Sequence, residues 1–228
     1  MRLLALDTAT AVCGVAVHVD GHLIAQRVIH QGLTHTKVLM TTIDSVLQQS
    51  GLDLTDLDAL VVTKGPGSFT GLRIGISTAK GLSMATGKPL VGISTLSVLA
   101  HQAPVGTDWV CPMIDARRSE VYWALYQREG DLLRQVMAES AGPVHDPLKA
   151  IKGPCLFIGN GAKQYAEAIT EQSVHAVHMA SMQSHTIAPG VLAGLGQKRM
   201  EQGVAGTLDS LTPVYLRKSD AELGRKKA

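Results

Sequence analysis

The 228-residue sequence predicts an α/β fold of two similar lobes, each a mixed sheet flanked by helices. Three observations carry the prediction. Short β-like runs alternate with segments of helical apolar period along the chain, the pattern of layered α/β domains. The first apolar run, Arg2 to Asp7 (RLLALD), ends in a carboxylate, and so does a later one, Trp109 to Asp115 (WVCPMID). Between them lies Ala103 to Thr107 (APVGT), a linker marked by proline and glycine. The lobes are accordingly placed at residues 1–104 and 105–228.

In the first lobe, Val12 to Val19 alternates as a half-buried strand, Asp20-Gly21 suits a type I′ turn, and His22 to His30 returns as a third strand. Thr36 to Gln49 sets Val38, Leu39, Met40, Ile43, Val46 and Leu47 on a broad helical face, closed by Ser50-Gly51. Ala59 to Thr63 reads as a strand and Lys64 to Gly87 as a glycine-rich turn opening into a helix. Pro89 to Ile93 is the next strand, and Ser94 caps a short helix to about His101. The later strands follow crossovers long enough for parallel pairing.

The second lobe repeats this order. Glu120 to Gln127 alternates, Gly130-Asp131 turns, and Leu132 to Glu139 returns. Pro147 to Ile151 is a short helix or turn, and Cys155 to Ile158 a strand running into Gly159-Asn160-Gly161. Ala162 to Thr170 reads as a helix, Val174 to His178 as a strand and Thr186 to Gln202 as a long helix. A meander followed by alternating helix and strand, twice over, is the duplicated ribonuclease-H-like arrangement of actin, sugar kinases and related ATPases (the ASKHA fold).

The most informative stretch is Lys64 to Gly87 (KGPGSFTGLRIGISTAKGLSMATG). Gly65, Pro66 and Gly67 permit a sharp reversal, and Ser68 or Thr70 can cap the helix that follows. The free N–H groups at such a start suit an anion, though the turn also reads as a tight strand-to-helix connection. It is no P-loop, because Gly71-Leu72-Arg73 stands where Gly-Lys-Ser/Thr is required. Gly71, Gly75, Ala79 and Ser83 recur every fourth residue, so one stripe of the helix lets another backbone come close. A glycine inside a helix costs roughly 1 kcal/mol relative to alanine, which calls for a packing reason.

Composition excludes several classes. Hydrophobic residues make up 45% and charged residues 18%, so the chain buries a core and is not disordered. A net charge of +2 gives no general grip on nucleic acid. The late basic residues Arg217, Lys218, Arg225, Lys226 and Lys227 read as a solvated tail. With no signal-like start and no long apolar run, a cytoplasmic protein without membrane spans is expected. Cys13, Cys111 and Cys155 are too scattered for a disulfide framework or zinc knuckle and read as small buried hydrophobes. The nine histidines show no metal spacing; His175 and His178, and His18, His22 and His30, are expected on the surface or in the hairpin.

In a doubled fold of this kind, Asp7 and Asp115 face one cleft and could hold a magnesium-bound nucleotide, with Gly159, Asn160 and Gly161 where the adenosine sits. Yet Thr8-Ala9-Thr10 and Ala116-Arg117-Arg118 lack the glycines that close on phosphate. Asp7 equally reads as a strand-ending hydrogen-bond acceptor, and Asn-Gly as an ordinary turn. A free-standing actin-like-fold ATPase or kinase is the alternative function these residues leave open. No Gly-x-Ser-x-Gly elbow or metal pair supports a protease.

Leu3 to Thr10 (LLALDTAT), Lys64 to Ala100, Met113 to Tyr126 (MIDARRSEVYWALY), Gly159 to Gly161 and Pro213 to Lys218 (PVYLRK) together resemble the TsaB (YeaZ) family over nearly the whole chain. The resemblance implies a part in making threonylcarbamoyladenosine next to the anticodon of tRNAs. It implies no catalytic residue and no metal: the catalytic relative TsaD carries two metal-binding histidines where this chain has Thr95 and Leu99. It further implies a scaffold that binds and activates TsaD together with the ATPase TsaE, forms a homodimer when TsaD is absent, and meets tRNA only through the complex. It implies no intrinsic cofactor, and at most ATP or ADP with magnesium held weakly at the complex. The association surface would be the helices near residues 36–49 and 70–85, with Val38, Met40, Leu47, Leu72, Arg73, Gly75, Ile76 and Ala79. The sequence leaves open whether the small stripe faces the partner or its own sheet.

Overall fold

The computed structural model describes residues 1–30, 35–130, 132–204 and 211–217. In the first lobe, β1 (Arg2–Asp7), β2 (Cys13–Val19) and β3 (His22–Ile29) form the antiparallel meander, and β4 (Ala59–Gly65) and β5 (Leu90–Ser94) extend it in parallel. The sheet order is β3-β2-β1-β4-β5. Asp20 and Gly21 both take positive φ, 49° and 82°, as the tight hairpin requires. The connecting helices are α1 (His35–Ser50), α2 (Phe69–Thr86) and α3 (Thr95–His101).

The second lobe builds the same order from β6 (Trp109–Arg117), β7 (Glu120–Glu129), β8 (Leu132–Pro143), β9 (Cys155–Ile158) and β10 (Val177–Met179), arranged β10-β9-β6-β7-β8. Its helices are α4 (His145–Ala150), α5 (Asn160–Gln164) and α6 (Ala166–Gln172), the last two divided at Tyr165 where one helix was expected. Two five-stranded mixed sheets of identical strand order are the duplicated ribonuclease-H-like fold that the element order predicts. Gly130 turns with φ 62°, while Asp131, Lys218 and the rest of the basic tail lie outside the described residues.

Strand alternation sorts the core into layers. On one face of the first sheet, Leu4, Leu6, Val15, Val17, Leu60 and Val62 pack against Leu39, Ile43 and Val46 of α1 and Ile76 and Ala79 of α2. On the other face, Leu3, Ala5, Ala16 and Val61 join Leu96 and Leu99 of α3, and Ile114, Tyr122, Ala124 and Ile158 from the second sheet, in one core that spans both lobes. The outer face of the second sheet closes with Cys111, Trp123 and Phe157 over Leu148 and Ile169.

The final helix, α7 (Pro189–Glu201), is shorter than the expected 186–202 and lies on the first sheet, although the sequence places it within the second lobe. Its small residues explain this. Gly196 sits where a side chain would collide with Val61, and Pro189 packs on Gly14, while Leu192 and Ala193 enter the core shared by the lobes. The stretch 211–217 also returns to the first lobe. The Val214 N–H donates to the Lys64 carbonyl at 2.7 Å, and Leu211 packs over Gly92.

Candidate functional site

The end of β1 is a closed clasp. Asp7 is fully buried; its Oδ1 accepts from the Thr63 hydroxyl at 2.7 Å and from the Ala9 N–H at 3.1 Å, while Oδ2 is buried without a partner. Burial raises its carboxyl to about 6, against smaller lowering by the Thr63 and Ala9 hydrogen bonds. The loop after it then occupies the start of α2. The Ser68 N–H donates to the Ala9 carbonyl at 2.7 Å, the Thr8 hydroxyl donates to the Gly71 carbonyl at 2.7 Å, and the Ser68 hydroxyl accepts from the Gly71 N–H at 3.3 Å. The Ala9 carbonyl thus takes a donor that an anion would need. In this conformation Asp7 presents no exposed oxygen to a magnesium ion.

The small stripe of α2 serves this clasp. A methyl group on Gly67 or Gly71 would collide with the Ala9 or Thr8 carbonyl, and one on Gly75 with the Thr8 hydroxyl. Gly75, expected at a partner interface, thus faces the Thr8 loop of its own chain. Leu47, Leu72, Ile76 and Ala79, also expected there, are buried in the hydrophobic cores of the first sheet. Arg73 and Met40 are exposed, Met40 at 44%, and Val38 is partly exposed. Met84 near the end of α2 is 73% exposed, and Ile74 and Leu82 are partly so. The open face of α1 and α2 is thus a mixed apolar and polar surface. His35 fastens it from the other side, its Nε2–H donating to the Thr10 carbonyl at 2.8 Å.

The end of β6 gathers a second group. The Asp115 N–H donates to Asn160 Oδ1 at 3.2 Å, and Asp115 Oδ1 accepts from the Arg117 N–H at 2.9 Å and the Tyr165 hydroxyl at 3.3 Å. Gly159 has φ 107°, and a methyl there would strike the Met113 carbonyl; one on Gly161 would meet the backbone of Ile114 and Asp115. Asp115, Gly159, Asn160 and Gly161 therefore form one unit, and among the described residues no hydrogen bond or ion pair joins Asp7 to it. His185 supports the unit from beneath, with Nδ1 3.2 Å from the Gly159 N and 3.0 Å from its carbonyl oxygen. Sequence reasoning missed both this buried histidine and Tyr165, since neither spacing nor neighbours mark them.

Thr95 is buried, and Leu99 lies in the core between the lobes beside Gly159. Next to them the lobes are tied by a short hydrogen bond from the Ser94 hydroxyl to the Glu139 carboxylate. Ser94 also caps α3 by accepting from the Ser97 N–H at 3.2 Å. Burial pushes the Cys13 thiol up to about 11 and Cys155 to about 12, and raises Cys111 well above its usual value, so these cysteines are poor nucleophiles. Among the described residues no cluster of His, Cys, Asp and Glu is placed to hold a metal ion, and no helix is long and apolar enough to cross a membrane.

Two lobes of one topology, closed on a shared core and each ending its first strand in an aspartate, define a protein of the actin-like ATPase fold. Residues 23–225 match the family model described as TsaD, tRNA N6-adenosine threonylcarbamoyltransferase. The chain is 33% identical to the tRNA threonylcarbamoyladenosine biosynthesis protein TsaB of Escherichia coli K12, over 97% of this chain and 96% of that one. It is 32% identical to the TsaB of Bacillus subtilis 168, with the same coverage. The chain belongs to the TsaB (YeaZ) family. A Pseudomonas aeruginosa crystal structure described as similar to the peptidase YeaZ superposes with a TM-score of 0.81 at 30% identity, covering 95% of this chain and 99% of that one. Component A of the Acidaminococcus fermentans (R)-2-hydroxyglutaryl-CoA dehydratase shares only the fold, with a TM-score of 0.55 at 12% identity over 88% of this chain and 99% of that one.

Proposed function

We propose that this chain is a non-catalytic scaffold in tRNA threonylcarbamoyladenosine synthesis, binding and activating TsaD, with TsaE joining the pair. The observation that carries the reading is the open face of α1 and α2, where Met40 and Met84 stand exposed on helices pinned by the Thr8–Thr10 loop. Large apolar side chains exposed on such a mixed surface suit a docking site. The same face would pair two copies when TsaD is absent. ATP or ADP with magnesium would be held only weakly, at the assembled complex, and tRNA would be met through it.

The test is light scattering after chromatography of this chain mixed with its cognate TsaD, with tRNA modification scored in the same fractions once TsaE is added. A one-to-one species that gains activity is expected. Met40→Lys with Met84→Lys should leave the fold intact, since both sites are exposed, and weaken the complex by about 30-fold or more. A double variant that binds TsaD as the parent chain does removes this face from the interface. ATP hydrolysis by the isolated chain, lost in Asp115→Asn, would instead support the ATPase reading.

A further inference from the structure

The stretch 211–217 is seated on the first lobe and anchored on the second. Leu211 joins the core of the first sheet, and its side chain takes the room that Gly92 leaves by having none. The Val214 N–H donates to the Lys64 carbonyl at 2.7 Å, and the Val214 carbonyl fills the place where a side chain on Gly65 would stand. Tyr215 stacks on Phe69 in the first turn of α2, with ring centroids 4.1 Å apart and planes 9° from parallel, and the Arg73 Nε–H donates to its hydroxyl at 3.0 Å. Leu216 packs against the core shared by the lobes. Arg217 then crosses to β7, its Nη1–H donating to the Glu120 carboxylate at 2.8 Å, with the two side chains 18% and 36% exposed.

The second anchor lies beside backbone that needs support. In the β6–β7 turn, Arg117, Arg118 and Ser119 take φ 62°, 54° and 61°, the left-handed region that costs free energy in any residue with a side chain. Such a turn persists where its neighbours hold it. Asp115 Oδ1 accepts from the Arg117 N–H at 2.9 Å, and Glu120, opposite Arg117 in the hairpin, is held by Arg217. The lobes are also tied at both ends of α3. Ser94 donates to Glu139 at its start, and Gln102 at its end donates to the Ser184 and Thr186 carbonyls at 3.1 and 2.9 Å and accepts from the Ala188 N–H at 2.9 Å. The stretch 211–217 adds a separate route, from β4 and β5 to the β6–β7 hairpin.

We propose that residues 211–217 are a latch between the lobes, seated on the first by Val214 and Tyr215 and fastened to the second by Arg217 on Glu120. The two anchors, Tyr215 and Arg217, are separated by about 7 Å of extended chain, which leaves little slack between them. With the latch closed, the start of α2 and the hairpin that carries Asp115 are held as one body, and release of either anchor loosens the other. The latch does not depend on the binding of TsaD.

The test is residue-resolved amide hydrogen exchange of the whole chain by NMR, each variant being read at the anchor that it leaves intact. Glu120→Gln removes the charge of the second anchor, and the Val214 amide, bonded to Lys64, should exchange about fivefold faster, as loss of a part-exposed ion pair allows. Tyr215→Ala removes the stack, and the Arg117 amide, bonded to Asp115, should exchange faster by about the same factor. Arg134→Ala breaks an exposed pair with Glu129 within the second lobe and should move neither amide. The paired amides of β1 and β2 report global opening and should keep their rates in all three variants. Unchanged Val214 exchange in Glu120→Gln, or unchanged Arg117 exchange in Tyr215→Ala, overturns the proposal and makes 211–217 two independent contacts. Equal acceleration at β1 and β2 also overturns it, because general loosening would then be the cause. TsaD is absent from the measurement, so its result is separate from that of the docking test.

Discussion

Gly71→Ala is expected to destabilise the chain by about 3 kcal/mol. The added methyl group points at the Thr8 carbonyl, which is backbone and cannot swing aside as a side chain would. Overpacking of this kind costs about 1–3 kcal/mol, and displacing the loop also weakens the Thr8 hydroxyl bond to the Gly71 carbonyl, about 1 kcal/mol more. The better helix propensity of alanine returns about 1 kcal/mol, which cancels the hydrogen-bond term, and the collision with backbone puts the result at the top of the overpacking range. Ser77→Ala on the exposed side of the same helix should change stability by less than about 0.5 kcal/mol. Urea midpoints of both variants decide the matter, and equal midpoints would mean that the clasp yields freely. By the same geometry Gly75→Leu tests folding rather than docking, because Gly75 faces the Thr8 hydroxyl.

The second large effect is a dependence of stability on pH set by Asp7. Its carboxyl is raised from 3.8 to about 6 by burial, so the folded chain holds the proton more tightly than the unfolded chain does. The contribution is fully present below pH 4 and is lost as pH rises through 6, a change of about 3 kcal/mol. Asp7→Asn cannot titrate, so the stability difference between parent and variant should shift by about that amount between pH 4 and 7, in the variant's favour at the higher pH. Its new amide N–H₂ replaces an oxygen that has no partner, which offsets part of the gain uniformly with pH. Denaturant titrations of both chains across that interval are the measurement, and a difference that stays constant would show that Asp7 is not held in a dry site.

Much of the site was legible because its determinants are local. Ser68 caps α2 since a serine beside a glycine turn offers its oxygen to the free N–H groups, and Gly159 marks its turn because only glycine tolerates that backbone against the Met113 carbonyl. Tyr215 on Phe69, His185 under Gly159 and Thr63 on Asp7 were not legible. Each pairs residues far apart in the chain, and no periodicity records which distant partner a side chain meets.

The sequence by itself determined the doubled strand and helix order, the two first-strand aspartates and the helix that opens from the Gly65-Pro66-Gly67 turn. Alternation, caps and turns act over a few residues, so their signals survive in linear order. Only the tertiary structure decided that the glycines at the start of α2 are covered by Thr8 of the same chain, that Asp7 is sealed while Asp115 is partly open, and that α7 crosses back to the first sheet. An apolar or small face specifies that it must be covered, because burial is non-directional; what covers it depends on which surface the folded chain brings within contact distance.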